Sequence, residues 1–112
     1  MSYKIISVRD NPEYLEQAAD YFSSKWSVGR ETYHDSMKHS ITTDSTLPRF
    51  YLLLKNNEQI VGCVGLITND FCSRQDLWPW LVALYVEESE RGQKLGLMMI
   101  NHVRAEAKKV RF

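Results

Sequence analysis

The sequence has no excess of charge of either sign and no low-complexity block. Lysine and arginine together number 14, aspartate and glutamate also number 14, and the formal net charge is therefore zero. Proteins that bind nucleic acid generally present a basic surface that neutralises phosphates, so the balanced charge argues against general nucleic-acid binding. A hydrophobic fraction of 44%, with 12% aromatic residues, also argues against a disordered or collagen-like chain.

Long apolar runs and paired cysteines are missing as well. The longest uncharged apolar stretch is too short to span a bilayer, and the opening segment MSYKIISVRD contains no signal-peptide core. Cys63 and Cys72 match neither a disulfide framework nor a CxxC metal pair. These absences predict a cytoplasmic protein with no membrane partner. Both cysteines are expected to be small buried or loop residues.

The chain of 112 residues is long enough for one domain with a modest core, so the sequence predicts a single domain over residues 1–112. Apolar spacing then predicts the secondary structure. Strands are predicted over Lys4–Val8, Phe50–Leu54, Ile60–Ile67 and Leu81–Val86, with helices after Asn11-Pro12, over Arg30–Ser40, and after Arg91–Gly96 as far as Lys109. In the order β-α-α-β-β-β-α, the strand hairpins and the helices are partly segregated along the chain. This segregation indicates the α+β class.

Finer patterns predict caps, bulges and buried faces. Asn11 before Pro12 is typical of a helix N-cap. Gly62 and Gly65 inside a predicted strand indicate a bulge or a close backbone approach. The last helix carries an apolar stripe, and Met98 is expected in the core beside it. The stripe consists of Leu95, Met99, Val103, Ala107 and Val110.

The turn between the fourth strand and the last helix has the composition of a phosphate-binding cradle. Backbone N–H groups at a helix N-terminus lack intrahelical partners, and the helix dipole adds partial positive charge there. Gly92 and Gly96 permit close approach of an anion, while Arg91 and Lys94 add formal charge. Neither GxGxxG nor GxxxxGK[ST] occurs, so the segment is not a Rossmann or P-loop fingerprint. On spacing alone, a glycine-containing turn before an ordinary surface helix is the favoured interpretation.

The segment LYVEESERGQKLGLMMINHV resembles the acetyl-CoA-binding motif of the GNAT N-acetyltransferase superfamily. Members carry an Arg/Gln-x-x-Gly-x-Gly/Ala loop after their fourth strand. Arg91 matches the first position and Gly96 the last, while Lys94 stands where the family usually has its middle glycine. Lysine suits that position if it adopts ordinary helical backbone angles and points outward. The stretch DLWPWLVALYV also resembles the lead into that strand in part of the family.

The resemblance implies a GNAT-like fold, a mostly antiparallel sheet with helices on its faces. It also implies direct transfer of acetyl from acetyl-CoA to an amine, with no metal and no acyl-enzyme. The acetyl group would lie near the bulged middle of the fourth strand, where a backbone N–H near Tyr85 polarises its carbonyl, and the amine would enter from the opposite side. Pantetheine would pair with the strand and the pyrophosphate with the following loop. The cofactor-binding residues so implied are Leu84, Tyr85, Val86, Arg91, Gly92, Gln93, Lys94, Leu95, Gly96 and Leu97.

The family's C-terminal part has no counterpart in these residues. GNAT domains continue with a fifth strand, a further helix and a hairpin, so the resemblance implies a truncated domain whose activity is reduced or absent. The alternative is an inactive GNAT-like domain that binds CoA or acts in assembly. A third possibility is an unrelated α+β domain with an accidental glycine turn. Without a fifth strand the apolar fourth strand is an exposed edge, so a homodimer is expected.

Some carboxylates and aromatic residues are weaker candidates for the site. Glu87 and Glu88 are the carboxylates nearest to the expected acetyl position, although their place after the strand favours solvated turn residues. Loop solvation is likewise favoured for the remaining acidic candidates, and packing is at least as good an explanation for the aromatic ones. These candidates are Asp70, Asp76, Trp26, Tyr33, Trp78 and Trp80.

The histidines do not suggest a metal site. His34 and His39 are five residues apart, which directs them to different sides of a helix, and His102 is remote in sequence. A cysteine nucleophile has no nearby base in the sequence to support it. No catalytic residue is assigned at this stage.

Overall fold

The computed structural model of the chain describes residues 3–25, 29–43, 48–56, 59–67 and 80–109. Within them the predicted order of strands and helices is confirmed, as is the α+β class. The elements are β1 (Tyr3–Ser7), α1 (Leu15–Lys25), α2 (Arg30–Thr42), β2 (Arg49–Lys55), β3 (Gln59–Ile67), β4 (Trp80–Val86) and α3 (Leu95–Lys109). Short 3₁₀ turns, Pro12–Tyr14 and Glu88–Glu90, precede α1 and α3.

The strands form one antiparallel sheet in the order β1-β2-β3-β4. In β2 all five residues from Phe50 to Leu54 are buried. Because successive side chains of a strand point to opposite faces, this run requires cover on both sides of the sheet. The sequence FYLLL therefore accounts for the two-sided arrangement of helices.

Two apolar clusters fill the space between the sheet and its helices. On one face Phe22 of α1 and Met37 of α2 pack with Phe50 and its same-face neighbours in β2. On the other face Met99 and Val103 of α3 pack with the alternate residues of β2. The predicted stripe of α3 is confirmed for Leu95, Met99 and Val103, while the side chain of Ala107 and all of Val110 lie outside the described part. The prediction that Met98 lies in the core is wrong: it is 36% exposed, because it is turned about 100° from Met99 around the helix.

The start of α1 differs from the prediction. Asn11 makes no side-chain capping bond, and its Nδ2 donates instead to the carbonyl of Ser7 at 2.9 Å. Pro12 opens a 3₁₀ turn, and the α-helix begins at Leu15. The Asn11 side chain thus holds the turn that follows β1. An asparagine side chain can hydrogen-bond to a nearby backbone group in a turn as readily as it can cap a helix.

The sheet is irregular where β3 meets β4. Between the pairs Cys63–Tyr85 and Gly65–Val82, β4 advances by one residue more than β3, which marks a bulge in β4. Ala83 lies in this bulge with a left-handed φ of 57°. The close approach predicted at Gly62 is confirmed, since a Cβ there would lie 2.9 Å from the Tyr85 carbonyl oxygen. The bulge predicted in β3 is also confirmed, since the register with β2 shifts between Leu53 and Leu54 and β3 has one extra residue there, next to Gly62.

Among the described helices, none is long and apolar enough to cross a membrane.

Candidate functional site

The segment between β4 and α3 contains two residues with left-handed backbone angles. Gly92 has a φ of 89° and Lys94 a φ of 61°. The expectation that Lys94 adopts ordinary helical angles is therefore wrong. The chain turns sharply here to enter α3 at Leu95, and position 94 keeps the conformation for which glycine is the usual choice. Lys94 thus adopts a backbone conformation that glycine favours, at the position where the resemblance places a glycine.

Replacing Lys94 with glycine is expected to stabilise the fold by about 1 kcal/mol relative to the Lys94→Ala variant. Removing Cβ relieves about 1–2 kcal/mol of left-handed strain, and the extra freedom of glycine in the unfolded chain offsets part of this. The alanine variant is the matched control, because it removes the same exposed side chain but keeps Cβ. Urea denaturation measures the difference. Equal stability of the two variants would contradict the left-handed angle.

The first turn of α3 is open to a ligand. A Cβ on Gly96 would meet no atom within 4 Å, so its backbone can be approached closely. The Met98 amide donates to the Lys94 carbonyl at 3.0 Å, which leaves the amides before it without a partner of the regular helical type. Leu95 is buried and fixes the helix to the core, whereas Leu97 is exposed. Arg91, Gly92, Gln93 and Lys94 are exposed beside this turn.

The end of β4 is bound to this loop by Arg91. Its Nε donates to the Val86 carbonyl at 2.9 Å, and its guanidinium lies 5.4 Å from the centre of the Tyr85 ring. The Glu87 amide donates to Val61 of β3 at 2.8 Å. Since alternate residues of a strand direct their backbone groups to opposite sides, Val86 faces away from β3. A ligand pairing with this edge therefore meets a carbonyl that already accepts one bond and has a second lone pair available.

Glu90 fixes the loop to the sheet and was not anticipated from the sequence. Its carboxylate accepts from the Tyr3 hydroxyl at 2.7 Å and lies 3.3 Å from the Lys55 ammonium. The residue is 6% exposed. The hydrogen bond from Tyr3, together with Lys55 and Ser89, holds the pKa of the Glu90 carboxyl below its usual value. Tyr3 lies on β1 and Lys55 on β2, whereas Ser89 lies in the loop itself. The contacts with Tyr3 and Lys55 therefore join the loop to the two strands farthest from β4.

Acid is expected to remove the contribution of Glu90 to stability. A carboxyl whose pKa is lowered in the folded state stabilises the protein above its ordinary pKa of 4.5, and this stabilisation is lost as the pH falls through the folded value. Wild type should therefore exceed Glu90→Gln in stability near about pH 7, and this excess should shrink as the pH falls below 4.5. Urea denaturation across this range tests the trend, with the exposed neighbour Glu88→Gln as control. A constant difference between wild type and Glu90→Gln would contradict it.

Glu87 is not the solvated turn residue that the sequence favours. Its carboxylate lies 2.7 Å from the Lys25 ammonium and accepts a hydrogen bond from the Tyr21 hydroxyl. The bond from Lys25 and then that from Tyr21 lower the pKa of Glu87. Burial, followed by the bond to Glu87, raises the pKa of the Tyr21 hydroxyl, which therefore remains a donor. Glu88, by contrast, is exposed as predicted.

The cysteine near this site is not an activated nucleophile. Cys63 is fully buried, and its thiol contacts the Ala83 carbonyl with an Sγ–O distance of 3.4 Å. Burial raises the pKa of this thiol to about 12, so the thiolate is scarce at neutral pH. Its prediction as a small buried residue is confirmed.

The other candidates divide between packing and the undescribed part of the chain. Tyr33 packs against the Phe22 ring at a centroid distance of 5.3 Å, which confirms the packing interpretation. Trp80 pairs with Ile67 at the start of β4, and nothing is described of its side chain. The remaining sequence candidates fall outside the described residues; they are Trp26, Asp70, Cys72, Asp76 and Trp78.

In the part of the chain that the structure describes, no three metal-ligating side chains come together. His34 instead lies 2.8 Å from the Glu16 carboxylate on α1, and Arg30 bonds to the same carboxylate at 2.7 Å. These polar contacts join the exposed sides of α1 and α2. His102 packs edge-on against the Tyr51 ring at 5.7 Å.

Three solved structures that share this fold are described as acetyltransferases. An acetyltransferase of the GNAT family from Staphylococcus aureus Mu50 has 22% identity and a TM-score of 0.70, with 96% of this chain and 67% of that chain covered. An aminoglycoside acetyltransferase from an uncultured soil metagenomic sample has 15% identity and a TM-score of 0.66, with coverages of 97% and 74%. A predicted acetyltransferase from Clostridium acetobutylicum, crystallised with acetyl-CoA, has 13% identity and a TM-score of 0.67, with coverages of 99% and 77%.

The sequence model of the acetyltransferase (GNAT) family matches residues 12–112, which is most of the chain. No curated protein sequence matches significantly.

Proposed function

This chain belongs to the GNAT acetyltransferase family, and we propose that it binds acetyl-CoA along β4 and the following loop and transfers the acetyl group to an amine. The observation that carries this proposal is the turn into α3. Gly92 and Lys94 bend the backbone there, Gly96 leaves the helix end open, and Arg91 adds positive charge. These features fit a pyrophosphate, because unpaired amides and the helix dipole both favour an anion.

The exposed edge of β4 suits the pantetheine arm. In the described part of the chain, no strand pairs with β4 on the side away from β3. Leu84 and Val86 present backbone groups beside the bulge, and an extended ligand adds to such an edge as another strand. Tyr85 lies between them and is held by its contacts with Arg91 and with Tyr21 of α1.

Acetyl-CoA would supply the activated acetyl group, and the protein would supply position and charge. The acceptor ammonium first loses one proton to solvent. The neutral amine nitrogen then attacks the thioester carbonyl carbon, the N–C bond forms, the C–S bond breaks with the electron pair passing to sulfur, and the proton lost from the nitrogen is taken up by the thiolate. A preorganised backbone N–H near the β4 bulge would stabilise charge on the carbonyl oxygen. The lowered pKa of Glu87 makes it a stable anion rather than an effective general base near neutral pH. Its proposed role is therefore to attract the cationic amine.

Calorimetry with acetyl-CoA and with CoA tests the binding step on the purified chain. Saturable but weak binding is expected, because one wall of the pantetheine cleft is open along β4 in the described residues. No heat from either ligand at millimolar concentration would overturn the proposal.

A second candidate function is a non-catalytic domain that binds CoA or takes part in assembly. The observation that favours it is the unpaired outer side of β4 in the described part of the chain, with Leu84 exposed. The two candidates differ in turnover. Thiol release from acetyl-CoA with common amines is expected to be slight for this chain alone. Robust release would support the enzyme and exclude the non-catalytic alternative.

The same edge leads to the proposal of a homodimer in the absence of CoA, since pantetheine and a second copy would cover the same side of β4. Exposed apolar side chains on β4 and α3 would be covered by a second copy, and the neutral net charge offers no repulsion. They are Leu84, Leu97 and Met98. Light scattering at micromolar concentration should give twice the mass of 13.1 kDa. A monomer mass unchanged by tenfold concentration would exclude the dimer.

A further inference from the structure

A small cage at the end of β4 surrounds an ammonium group. Tyr21 of α1, Tyr85 of β4 and Glu87 after β4 form it, and these three residues are called the ammonium cage below. The Lys25 ammonium lies 4.7 Å from the centre of each tyrosine ring and 2.7 Å from the Glu87 carboxylate. The rings meet edge-on at a centroid distance of 6.4 Å. Two aromatic faces and one anion thus converge on the Lys25 ammonium, while the Arg91 guanidinium lies 5.4 Å from the centre of the Tyr85 ring.

These contacts suit an organic cation such as an alkylammonium. Ring faces attract a cation at distances up to about 6 Å, and a carboxylate adds a charged hydrogen bond. The hydroxyl of Tyr21 donates to Glu87 and orients the carboxylate. Glu87 stays ionised because the bonds from Lys25 and Tyr21 lower the pKa of its carboxyl. An uncharged or anionic acceptor group would gain nothing from this arrangement.

The cage lies on the face of the sheet opposite to α3, from which the proposed acceptor amine would enter. Tyr85 packs on the face of the sheet that α1 and α2 cover, opposite to α3. The bulge at Ala83 lies two residues before Tyr85 on the same strand. The cage is also accessible, since the side chains of Lys25 and Glu87 remain 20% and 29% exposed.

We propose that the ammonium cage binds the primary alkylammonium of the acceptor, and that Lys25 fills it as an internal competitor until the acceptor displaces it. This inference rests on the proposed function and adds the substrate class, an unbranched primary alkylamine. The four-methylene stem and ammonium of Lys25 have the shape of such a ligand. A tethered group acts at an effective concentration of roughly millimolar, so it masks weak external ligands. Removing it should expose the site.

Titration with n-butylammonium chloride tests the cage directly. The ring signals of Tyr21 and Tyr85 are followed by NMR in protein with labelled tyrosine, and sodium chloride at equal ionic strength is the control. In Lys25→Met the shifts should saturate with an affinity about twofold or more above that of wild type, because the internal competitor at roughly millimolar effective concentration is gone. Lys25→Arg keeps a cation in the cage and should behave like wild type. Equal affinity in wild type and Lys25→Met would overturn the proposal.

A double variant separates the cage from other amine sites. Lys25→Met with Glu87→Gln removes the anion and should lose the saturable shifts. Retention of the same affinity in the double variant would overturn the proposal. Should Lys25→Met fail to fold, Lys25→Gln removes the ammonium with a polar side chain of similar length and serves the same test.

Failure of this inference is distinguishable from failure of the proposed function. Acetyl-CoA binding is measured separately by calorimetry at the loop before α3, in the absence of amine. If acetyl-CoA binds but the ring signals do not respond in Lys25→Met, the cage assignment alone is wrong. If the rings respond as expected, the cage is supported even where acetyl-CoA fails to bind.

Discussion

Replacing Gly96 with glutamate is expected to reduce CoA binding by more than a hundredfold. The position lies in the first turn of α3, where a Cβ meets no atom within 4 Å and the proposed pyrophosphate would be held. A carboxylate about 4 Å from a phosphate charge costs about 4 kcal/mol at an effective dielectric constant of about 20. Each 1.4 kcal/mol is about tenfold in affinity. Calorimetry with CoA measures the loss.

This variant should keep its fold, which makes the binding result interpretable. Glutamate in the first turn of a helix interacts favourably with the helix dipole, and it is a better helix former than glycine. Asn101→Glu is the matched control, because it adds the same charge to an exposed position further along α3. Gly96→Ala adds only a methyl group to open space. If Gly96→Glu and Asn101→Glu bind CoA alike, the loop is not the pyrophosphate site.

The elements of the fold were accessible from sequence because each is built on a local pattern. The run Phe50–Leu54 is apolar at every position, and it became the strand buried on both faces. The stripe of α3 repeats at helical spacing, and its described members are buried. Asn11 was placed wrongly because an asparagine next to a strand end has two backbone partners within reach, and spacing does not distinguish them.

The contacts of the site were less accessible because they join residues far apart in the chain. Tyr3 and Glu90 are separated by 87 positions, and Tyr21 and Glu87 by 66. Both carboxylates follow β4 in an acidic turn, which by itself indicates solvated residues. Tyr21 reaches Glu87 only because α1 packs on the sheet, and Tyr3 reaches Glu90 only because β1 pairs within the sheet. A lysine and a tyrosine four residues apart on α1 were the one available signal, since that spacing places them on one helix face.

The expectation of helical backbone angles at Lys94 is wrong for a different reason. Family resemblance places a glycine at this position, and the lysine suggested that the backbone had changed. The backbone at Lys94 is nevertheless left-handed. The side chain can be accommodated because Lys94 is exposed and the strain from its Cβ is of the order of 1–2 kcal/mol. The packing of β4 and α3 requires this turn, and the local strain at Lys94 is too small to prevent it.

Replacing Gly62 with alanine is expected to destabilise the fold by about 1–3 kcal/mol, the usual range for overpacking a core. The new Cβ would lie 2.9 Å from the Tyr85 carbonyl oxygen and 3.2 Å from the Cβ of Leu53. Neither neighbour is the flexible end of a side chain, so relief requires the backbone of β3 to move away from β2 or β4. β3 and β4 are held together next to Gly62, because the Glu87 amide donates a hydrogen bond to the Val61 carbonyl.

Urea denaturation of Gly62→Ala and wild type gives the difference in unfolding free energy. Gly96→Ala is the matched control, since the same methyl group enters open space in a helix and should be neutral or stabilising by up to about 1 kcal/mol. The movement of β4 in Gly62→Ala should also shift the ring signals of Tyr85, because its carbonyl is the atom displaced. Equal stability of Gly62→Ala and wild type would show that β3 and β4 are not in close contact at this position, and the bulged geometry of β4 that presents Tyr85 and Glu87 would then be wrong.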